Sequence, residues 1–388
     1  MPAPGAGMSI ADLTRNAVHL LPEGALEKKL ALGRPLRVKL GIDVTSPDIH
    51  VGRGIPLQRM RAFQDAGHIG VLIIGDYTTR IGDPSGRSIE RPILSDEKID
   101  ENARTYVEQA YQIVIPERTE VRFNSEWLAD LSFADVIQLT RVMTVAQMLE
   151  RDDFAGRYSG GQPISVSELL YPLMQAYDSV AVEADVELGG TDQLYNLLAG
   201  REVMQAYGLE PQVVLTTPLL LSWDGEKMSS SVGNNVPLTA PPEDQFGRTM
   251  RIPDEALGEW YRLVREKELP DAGEPLEAKL GLARWIVARS HGEQAAADAE
   301  AHFTRVVREG REPESVPEAS LPAGDPVHLP ALLAEHFALS TSEARRLIGQ
   351  GAVKVNGESV SELDLPRARL EGALVQAGKR RFVRLVTA

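Results

Sequence analysis

The sequence predicts an α/β protein whose main domain is built on a doubly wound parallel sheet. Over the first ~225 of the 388 residues, apolar runs such as 70–75 and 213–217 alternate with segments of helical periodicity, as in strand–helix–strand units. Residues 242–311 are mostly helical in pattern, and Trp260 and Tyr261 share their apolar face. A proline-rich stretch and a short α+β module follow.

The first strand–helix unit carries a histidine and a glycine at its turn. Residues 37–42 have the apolar content of a buried strand and 56–66 have helical apolar spacing, which places His50 and Gly52 between them. Amides at a helix N-terminus attract phosphate, glycine allows close approach, and an imidazole can donate to a phosphoryl oxygen. An isolated His-x-Gly is as often a loop without a role, so this turn alone leaves both interpretations open.

A glycine-rich tract, residues 225–233, supplies a cation and several hydroxyl groups. Lys227 is followed after one residue by consecutive serines. A mobile loop of this composition can follow departing pyrophosphate and stabilise its charge. Together with the turn at His50, it suggests the two sides of one nucleotide site on a single α/β domain.

A polar stripe lies in the segment between these two tracts. Tyr171, Gln175 and Asp178 are spaced four and three residues apart, so they share one face of a helix, with Leu173 and Met174 on the opposite face. Such a stripe usually meets water. A binding pocket is the alternative, since this trio beside a proline is an unusual choice for a solvated surface.

Composition limits the possible chemistry. The chain has no cysteine, which excludes disulfides, thiolate metal sites and a cysteine nucleophile, and its seven histidines never fall at ligand spacing, so no protein-built metal site is expected. The N-terminus has no signal-peptide pattern and no apolar run approaches membrane length, so a cytoplasmic protein without membrane contact is expected. A net charge of −15 argues against indiscriminate nucleic-acid coating.

The end of the chain forms a basic module behind a linker. Prolines interleaved with glutamates predict an extended linker over 312–327. Beyond it, 329–337 fits a short helix, Ser342 is a plausible N-cap for a second helix, and Asn356-Gly357 predicts a hairpin turn. Residues 341–388 carry nine Lys or Arg against five acids, a balance of +4 that suits contact with phosphates.

In this order, the motifs resemble the class I aminoacyl-tRNA synthetases, and within them the bacterial tyrosine-specific family. The tracts that carry the similarity are Asp48-Ile-His-Val-Gly-Arg53, Gly82-Asp-Pro-Ser-Gly-Arg-Ser88, Met143-Thr-Val-Ala-Gln-Met-Leu149, Tyr171-Pro-Leu-Met-Gln-Ala-Tyr-Asp178, Gly189-Gly-Thr-Asp-Gln193 and Lys227-Met-Ser-Ser-Ser231. The tail resembles the S4-type RNA-binding module. The similarity covers nearly the whole chain.

The resemblance implies a domain plan and an activity. The implied domains are a Rossmann-like catalytic domain over 1–235 with a dimer-interface insertion at about 115–185, a helical anticodon-side domain over 236–311, a linker over 312–327 and an S4-like RNA-binding domain over 328–388. The activity would be that of a tyrosine–tRNA ligase, which forms tyrosyl-adenylate and pyrophosphate from L-tyrosine and ATP and then charges the 3′ end of tRNA(Tyr). ATP would act together with Mg²⁺. The enzyme would be a homodimer, with apolar residues around 136–149 at its interface.

The resemblance also implies site residues. Tyrosine would be bound by Asp178 at its phenol, by Tyr171, Gln175, Asp83 and Thr78 around its ammonium, and by Gln193 near its carboxylate. ATP would contact Asp43, His50, Gly52, Gly190, Asp192, Lys227, Met228 and Ser229. Charge on the phosphates would be stabilised by His50, Arg53, Thr45, Arg87, Arg91, Lys227 and Ser230. Arg345, Arg346 and Lys354 would meet RNA phosphates.

Three positions depart from the family pattern. Arg53 replaces the second histidine of the first motif, and Ser230 stands where many members have lysine. Lys39 stands where some members place a tyrosine that helps to bind the phenol, so we count it among the expected substrate-binding residues. Motif drift leaves room for a synthetase-like RNA-binding protein without catalysis, and His-x-Gly also occurs in small-molecule adenylyltransferases. The intact tyrosine pocket argues against the first alternative, and the S4-like tail against the second.

Overall fold

The computed structural model describes residues 8–84, 94–270, 274–309, 316–337, 339–378 and 381–386. The chain divides into two compact units, of which the first comprises Met1–Pro241 with Arg248–Ala283 and the second Pro242–Gly247 with Arg284–Ala388. The domain bounds expected from the sequence, at 235, 311 and 327, stay a prediction. In the described part of the chain, no helix is both long and apolar enough to cross a membrane.

A six-stranded sheet forms the centre of the first unit. Its strands are β1 (His19–Leu21), β2 (Arg37–Ile42), β3 (Ile69–Ile74), β4 (Thr119–Phe123), β5 (Val186–Gly190) and β6 (Val213–Thr217). Their order is β1-β6-β5-β2-β3-β4, and β2 to β6 are parallel while β1 pairs antiparallel with β6. All of β6 is buried, as the apolar run predicts for a strand inside a parallel sheet. The predicted doubly wound sheet is confirmed.

The chain reverses its direction of winding between β2 and β5. From β2 it proceeds outward to β3 and β4, and it then returns to place β5 and β6 on the other side. β2 and β5 pair only through Val38 with Val186 and Lys39 with Glu187. In doubly wound sheets the ligand crevice opens at such a switch point, beyond the carboxyl ends of the strands.

Helices surround the sheet and continue after it. They include α1 (Ile10–Leu13), α2 (Ala25–Leu30), α3 (Val51–Asp65), α4 (Asp96–Ala110), α5 (Ser125–Leu128), α6 (Phe133–Thr140), α7 (Val145–Leu149), α8 (Asp152–Ser159), α9 (Val166–Ala181), α10 (Leu194–Ala206), α11 (Pro242–Thr249), α12 (Leu257–Trp260), α13 (Pro275–His291) and α14 (Glu293–Phe303). Trp260 and Tyr261 are buried, in agreement with the predicted apolar face. The predicted start of α3 at 56 was wrong, because His50 caps the helix and Val51 begins it.

The C-terminal module is a small α+β domain. Its elements are β7 (Glu318–Ser320), β8 (Val327–His328), α15 (Leu329–Phe337), α16 (Thr341–Gly349), β9 (Val353–Val355), β10 (Glu358–Ser359), β11 (Asp364–Leu365), α17 (Arg367–Leu370), β12 (Leu374–Ala377) and β13 (Arg381–Val386). One sheet has the order β10-β9-β12-β13-β7, and β8 pairs with β11. Buried aliphatic side chains from α15, α16 and the strands form one core.

The local predictions for this module are partly confirmed. Helix α15 has the predicted bounds, and Asn356 and Gly357, with φ of 51° and 84°, form the predicted hairpin turn between β9 and β10. The predicted cap of α16 was wrong, since the Ser340 hydroxyl accepts from the Glu343 amide and Ser342 lies inside the helix. Part of the expected linker also differs, because β7 pairs with β13 and is therefore a strand of the sheet.

Candidate active site

A cavity of about 560 Å³ opens at the switch point between β2 and β5. This volume suits a small-molecule site. The structure brings most of the predicted site residues to its wall, namely Asp43, His50, Gly52, Arg53, Thr78, Asp83, Tyr171, Gln175, Asp178, Gly190, Asp192, Gln193, Lys227, Met228, Ser229 and Ser230. The polar stripe of α9 thus faces a pocket and not bulk water.

Two of the described residues predicted for this site do not line the cavity, and two further predicted residues fall outside the described part of the chain. Thr45 is half-buried in the segment that joins β2 to α3 and is not among the residues that line the cavity. Lys39 lies beneath the cavity and does not line it. Arg87 and Arg91 fall outside the described residues.

His50 is held as a neutral donor at the start of α3. Its side chain is 5% exposed, and its Nδ1 atom accepts from the Arg53 backbone amide at 3.3 Å. Burial, with the nearby positive charges of Arg53 and Lys227, holds the pKa of His50 well below its usual range. Because Nδ1 accepts a hydrogen bond, the proton of the neutral ring belongs on Nε2. A side chain at Gly52 would press on this ring, since its Cβ would lie 3.2 Å from Nδ1.

Arg53 has a partner that the sequence did not indicate. Its guanidinium group donates to the phenol oxygen of Tyr106 and lies 5.7 Å from the centre of that ring. Tyr106 belongs to α4 and is fully buried. Tyr106 thus holds the guanidinium group of Arg53, a residue that lines the cavity and whose permanent charge suits phosphate.

On the opposite lip, Lys227 forms an ion pair with Asp192. Its Nζ atom lies 2.5 Å from Asp192 Oδ2, and the lysine side chain is 51% exposed. Asp192 follows β5, and Gly190 leaves room for its carboxylate, since a Cβ at Gly190 would lie 2.6 Å from Asp192 Oδ1. Two groups expected to bind different parts of ATP therefore bind each other here.

The loop that carries Lys227 is closed by one amide side chain. Asn234 Oδ1 accepts from the Ser229 amide at 2.8 Å, and Asn234 Nδ2 donates to the Asp224 carboxylate and to the Lys227 carbonyl oxygen. Met228 is buried against the body of the domain, while the Ser230 hydroxyl accepts from Asn235. The hydroxyl groups of the tract are thereby partly used in shaping the loop.

The other end of the cavity is acidic and buried. Tyr171 donates from its hydroxyl to Asp43 Oδ2 at 3.0 Å, and Thr78 donates to Asp43 Oδ1 at 2.8 Å. Burial, together with the charges of Asp43 and Asp83, raises the pKa of Tyr171 well above its usual range. A site that opposes further negative charge favours a cation, such as the ammonium group of an amino acid.

Asp178 lies at the bottom of this acidic end. Its Oδ1 atom accepts from Trp127 Nε1 at 2.8 Å, and Asn124 Nδ2 lies 3.5 Å from its Oδ2. Burial raises the pKa of Asp178 to about 7, against the opposing effects of Lys39 and of these two donors. The sequence analysis missed Asn124 and Trp127. Their position directly after β4, at the carboxyl edge of the sheet, is the signal that could have found them.

An amide network connects the two ends of the cavity. Gln193 Nε2 donates to Asp83 Oδ2 at 2.6 Å, and Asn196 Nδ2 donates to both Gln193 Oε1 and Gln175 Oε1 at 3.1 Å. Arg151 donates in turn to Asn196 at 2.9 Å. Gln175 and Gln193 are therefore fixed in orientation before any ligand arrives.

Lys39, which we counted among the expected substrate-binding residues, is not among the residues that line the cavity. The Lys39 ammonium group instead donates to Glu187, Ser179 and the Gln175 carbonyl oxygen, because a buried cation needs protein partners in place of water. Among the described residues, no group of three or more His, Cys, Asp or Glu is arranged to hold a metal ion.

Comparisons with known proteins agree with this geometry. Residues 31–307 match the family described as tRNA synthetases class I (W and Y), and residues 329–364 match the S4 domain. The chain is 48% identical over 392 residues to the tyrosine–tRNA ligase of Moorella thermoacetica, covering 97% of this chain and 95% of that protein. It is 47% identical over 403 residues to that of Geobacter sulfurreducens, covering 98% and 100%.

Known structures agree on the fold. The Archaeoglobus fulgidus tyrosyl-tRNA synthetase complexed with L-tyrosine matches with a TM-score of 0.59 and 22% identity, over 75% of this chain and 98% of that one. A C-terminally truncated mitochondrial tyrosyl-tRNA synthetase from Coccidioides posadasii matches with a TM-score of 0.60 and 22% identity, over 76% and 92%.

Proposed function

Because the chain belongs to the class I tRNA synthetases of the tryptophan and tyrosine group, as its motifs predicted, we propose that it is a tyrosine–tRNA ligase. It activates L-tyrosine with ATP and transfers the tyrosyl group to the 3′ end of tRNA(Tyr). The observation that carries the proposal is the cavity itself, which joins a buried acidic pocket ending at Asp178 to a cationic lip with Arg53 and Lys227, beside the neutral donor His50.

The acidic pocket suits tyrosine at both of its ends. The Asp178 carboxylate accepts a hydrogen bond from the phenol, while Trp127 and Asn124 hold that carboxylate in place. The ammonium group lies among Asp83, Thr78, Tyr171 and Gln175. Since most of these groups already have fixed protein partners, little side-chain entropy is lost when the substrate binds.

The first reaction needs no nucleophilic side chain. The tyrosine carboxylate attacks the α-phosphorus of ATP, an oxygen–phosphorus bond forms, and the bond to pyrophosphate breaks. The protein positions the reactants and stabilises the charge that grows on the leaving group. Gln193 is oriented toward the reacting carboxylate.

The cationic lip receives ATP. His50 donates from Nε2 to a phosphoryl oxygen, and Gly52 and Gly190 let the nucleotide approach the backbone. Asp192 accepts from the ribose hydroxyl groups. In that complex the Lys227–Asp192 ion pair opens, so that the ammonium group of Lys227 is released to follow pyrophosphate.

Mg²⁺ enters together with ATP in this proposal. A magnesium ion in a nucleotide site is commonly held by phosphate and water with one or two carboxylates. Asp43, which lines the cavity, is the carboxylate that the family resemblance places beside the phosphates and that would hold such an ion. When bound, the ion neutralises part of the phosphate charge.

The C-terminal module supplies RNA contacts in the second reaction. Arg345 and Arg346 on α16 and Lys354 on β9 are exposed, as phosphate contacts require. Replacing all three by alanine should reduce tRNA charging, leave tyrosine-dependent pyrophosphate exchange unchanged, and lower the salt slope of tRNA binding by roughly 0.7–0.9 per lost contact. Lys28→Ala, an exposed lysine on α2, is the matched control. Unchanged tRNA charging by the triple variant would show that these three side chains do not contribute to tRNA binding.

A second copy of the chain completes the enzyme in this proposal. Large apolar side chains are exposed on α6 to α9, with Phe133 at 80%, Val166 at 74%, Tyr158 at 68% and Val145 at 59%. Exposed apolar surface of this kind marks an interface. Phe133→Asp should shift the sedimentation of the protein from dimer to monomer, and a monomeric wild type would contradict the interface.

ATP and tRNA are cytoplasmic, and we propose the same location for the enzyme.

The decisive experiment is ATP–pyrophosphate exchange with each of the twenty amino acids in turn. Tyrosine should support exchange far above the other amino acids, and Lys227→Ala should serve as the depressed control. An RNA-binding protein without catalysis would show no exchange. A small-molecule adenylyltransferase would show none that depends on an amino acid, and either result would overturn the proposal.

A further inference from the structure

A fully buried lysine lies under the tyrosine pocket. Lys39 is 0% exposed, and its Nζ atom donates to Glu187 Oε1 at 2.8 Å, to Ser179 Oγ at 2.8 Å and to the Gln175 carbonyl oxygen at 2.9 Å. An ammonium group has three protons, so these acceptors use its full donor capacity. Such a buried charge is tolerated only when its partners are fixed.

The ion pair marks the place where the central crevice begins. Lys39 and Glu187 form the last residue pair between β2 and β5. The residues that follow on each strand, such as Leu40 on β2 and Leu188 on β5, line the cavity. The pair therefore closes the sheet directly beneath the floor of the pocket.

The same pair fixes the helix that binds the amino acid. The Gln175 carbonyl oxygen and the Ser179 hydroxyl lie one turn apart on α9, on either side of Asp178 in the sequence. Glu187 adds to this connection, because its Oε1 atom lies 3.4 Å from Gln175 Nε2 and its Oε2 atom 3.2 Å from Ser179 Oγ. The pair thus joins the two central strands to the turn of α9 that carries Asp178.

We propose that Lys39 is a positioning residue for tyrosine selectivity, which sets the place and the electrostatic surroundings of Asp178 through α9 and Glu187 without touching the substrate. The inference rests on the proposed function, since it concerns how that pocket tells tyrosine from phenylalanine. A phenol acceptor that is displaced or neutralised loses the contact that distinguishes the two amino acids.

The electrostatic part follows from the groups around Asp178. Lys39 faces it from β2 and Glu187 from β5, while Asp43, Asp83 and Tyr171 occupy the cavity wall above. Lys39 lowers the pKa of Asp178 and Glu187 raises it, with the larger effect from Lys39. Removing both charges should therefore raise the pKa of Asp178, whereas removing Glu187 alone should lower it.

The test compares Lys39→Gln/Glu187→Gln with Glu187→Gln in the full chain. We expect the double variant to lose at least about tenfold in its preference for tyrosine over phenylalanine in exchange assays, the scale of one hydrogen bond to a charged group. The KM for tyrosine should rise as the pH falls, because protonated Asp178 is a poorer hydrogen-bond acceptor than its carboxylate. The pH range of this rise is the acid limb of the KM profile. That limb should move to higher pH in the double variant and to lower pH in Glu187→Gln.

Ser179→Ala is the matched control, since it removes one hydrogen bond to Lys39 without changing any charge, and its acid limb should stay at the wild-type pH. A folded double variant with wild-type preference and wild-type limb overturns the inference. If the double variant does not fold, an unmoved or upward-moved limb in Glu187→Gln overturns it instead. Absence of tyrosine-dependent exchange in the wild type would defeat the proposed function itself, a different result.

Discussion

The two ends of the cavity differ in how their functional groups are held. At the acidic end, Asp178 and Tyr171 are at most 5% exposed, and each has a protein partner at 3.0 Å or less. At the cationic end, Lys227 is 51% exposed and its carboxylate partner is Asp192, which the proposed function assigns to ATP. One end is organised in advance, and the other must exchange partners.

This difference corresponds to the two tasks of the site. Selecting an amino acid requires acceptors that cannot adapt to the wrong substrate, and buried groups with fixed partners meet that need. Stabilising a departing anion requires a cation that can change its position, which an exposed side chain on a loop allows. The following predictions test whether the ends are as different as this comparison says.

The largest expected effect is at the cationic end. Lys227→Ala should lower the rate of tyrosine activation by about 100- to 1000-fold, the range for losing one charge-stabilising group. The dissociation constant of tyrosine should not change, because Lys227 lies away from the acidic pocket. Single-turnover kinetics and equilibrium dialysis measure the two quantities, with Lys28→Ala as control. Weakened tyrosine binding in Lys227→Ala would break the division between the two ends.

The next effect is on selectivity. Asp178→Ala removes the phenol acceptor, so kcat/KM for tyrosine should fall by about 10- to 100-fold. The value for phenylalanine should change much less, because that ring has no hydroxyl group. Exchange assays with both amino acids give the ratio, and an unaltered ratio would refute the role of Asp178.

A third effect concerns stability. The pKa of Asp178 is about 7 in the folded protein against 3.8 unfolded, so the folded state holds a proton that the unfolded state releases, and stability from this group falls as pH rises from about 4 to 7. Asp178→Asn removes this pH-dependent loss of stability, because the asparagine side chain does not ionise. We expect the variant to be more stable than wild type by roughly 2 kcal/mol at pH 8, below the limit of about 4 set by the pKa difference. Denaturant unfolding at pH 5 and 8 should show the gain shrinking at the lower pH.

The smallest effect is at the support of Arg53. Tyr106→Phe removes the phenol oxygen that accepts from Arg53 but keeps the buried ring and the cation, so activation should slow by only roughly fivefold, less than the full loss of a hydrogen bond to a charged group. Arg53→Ala should have the larger effect. In the double variant Arg53→Ala/Tyr106→Phe, the rate of activation should equal that of Arg53→Ala. Additive losses of rate would show that Tyr106 acts independently of Arg53.

The sequence alone predicted the features that depend on residues close together in the chain. Strand β6 and helix α15 have the predicted bounds, because their apolar patterns are unbroken. The start of α3 was misplaced, because Gly52, Gly54 and Pro56 disfavour a helix locally while the His50 cap allows it to begin. Likewise, the four-and-three spacing on α9 gave the correct face, since helical geometry alone decides which of its side chains point together.

Long-range partners could not be predicted in this way. Trp127 reaches Asp178 across 51 residues, and Lys39 reaches Glu187 across 148. Nothing near Lys39 in the sequence indicates a buried anion, so its pairing with Glu187 could not be predicted from neighbouring residues. The register between β2 and β5 places the side chains of Lys39 and Glu187 next to each other.

The same register has a consequence for the order in which the molecule assembles. Pairing of β2 with β5 closes a loop of well over a hundred residues. The conformational entropy lost on closing this loop opposes formation of the pair, so the pair should form late in folding. Sheet edges built from β2, β3 and β4 involve shorter loops and can form earlier. During synthesis, a nascent chain that has not yet exposed Val186 cannot close the floor of the pocket, and amino-acid recognition is thus acquired only in the second half of translation.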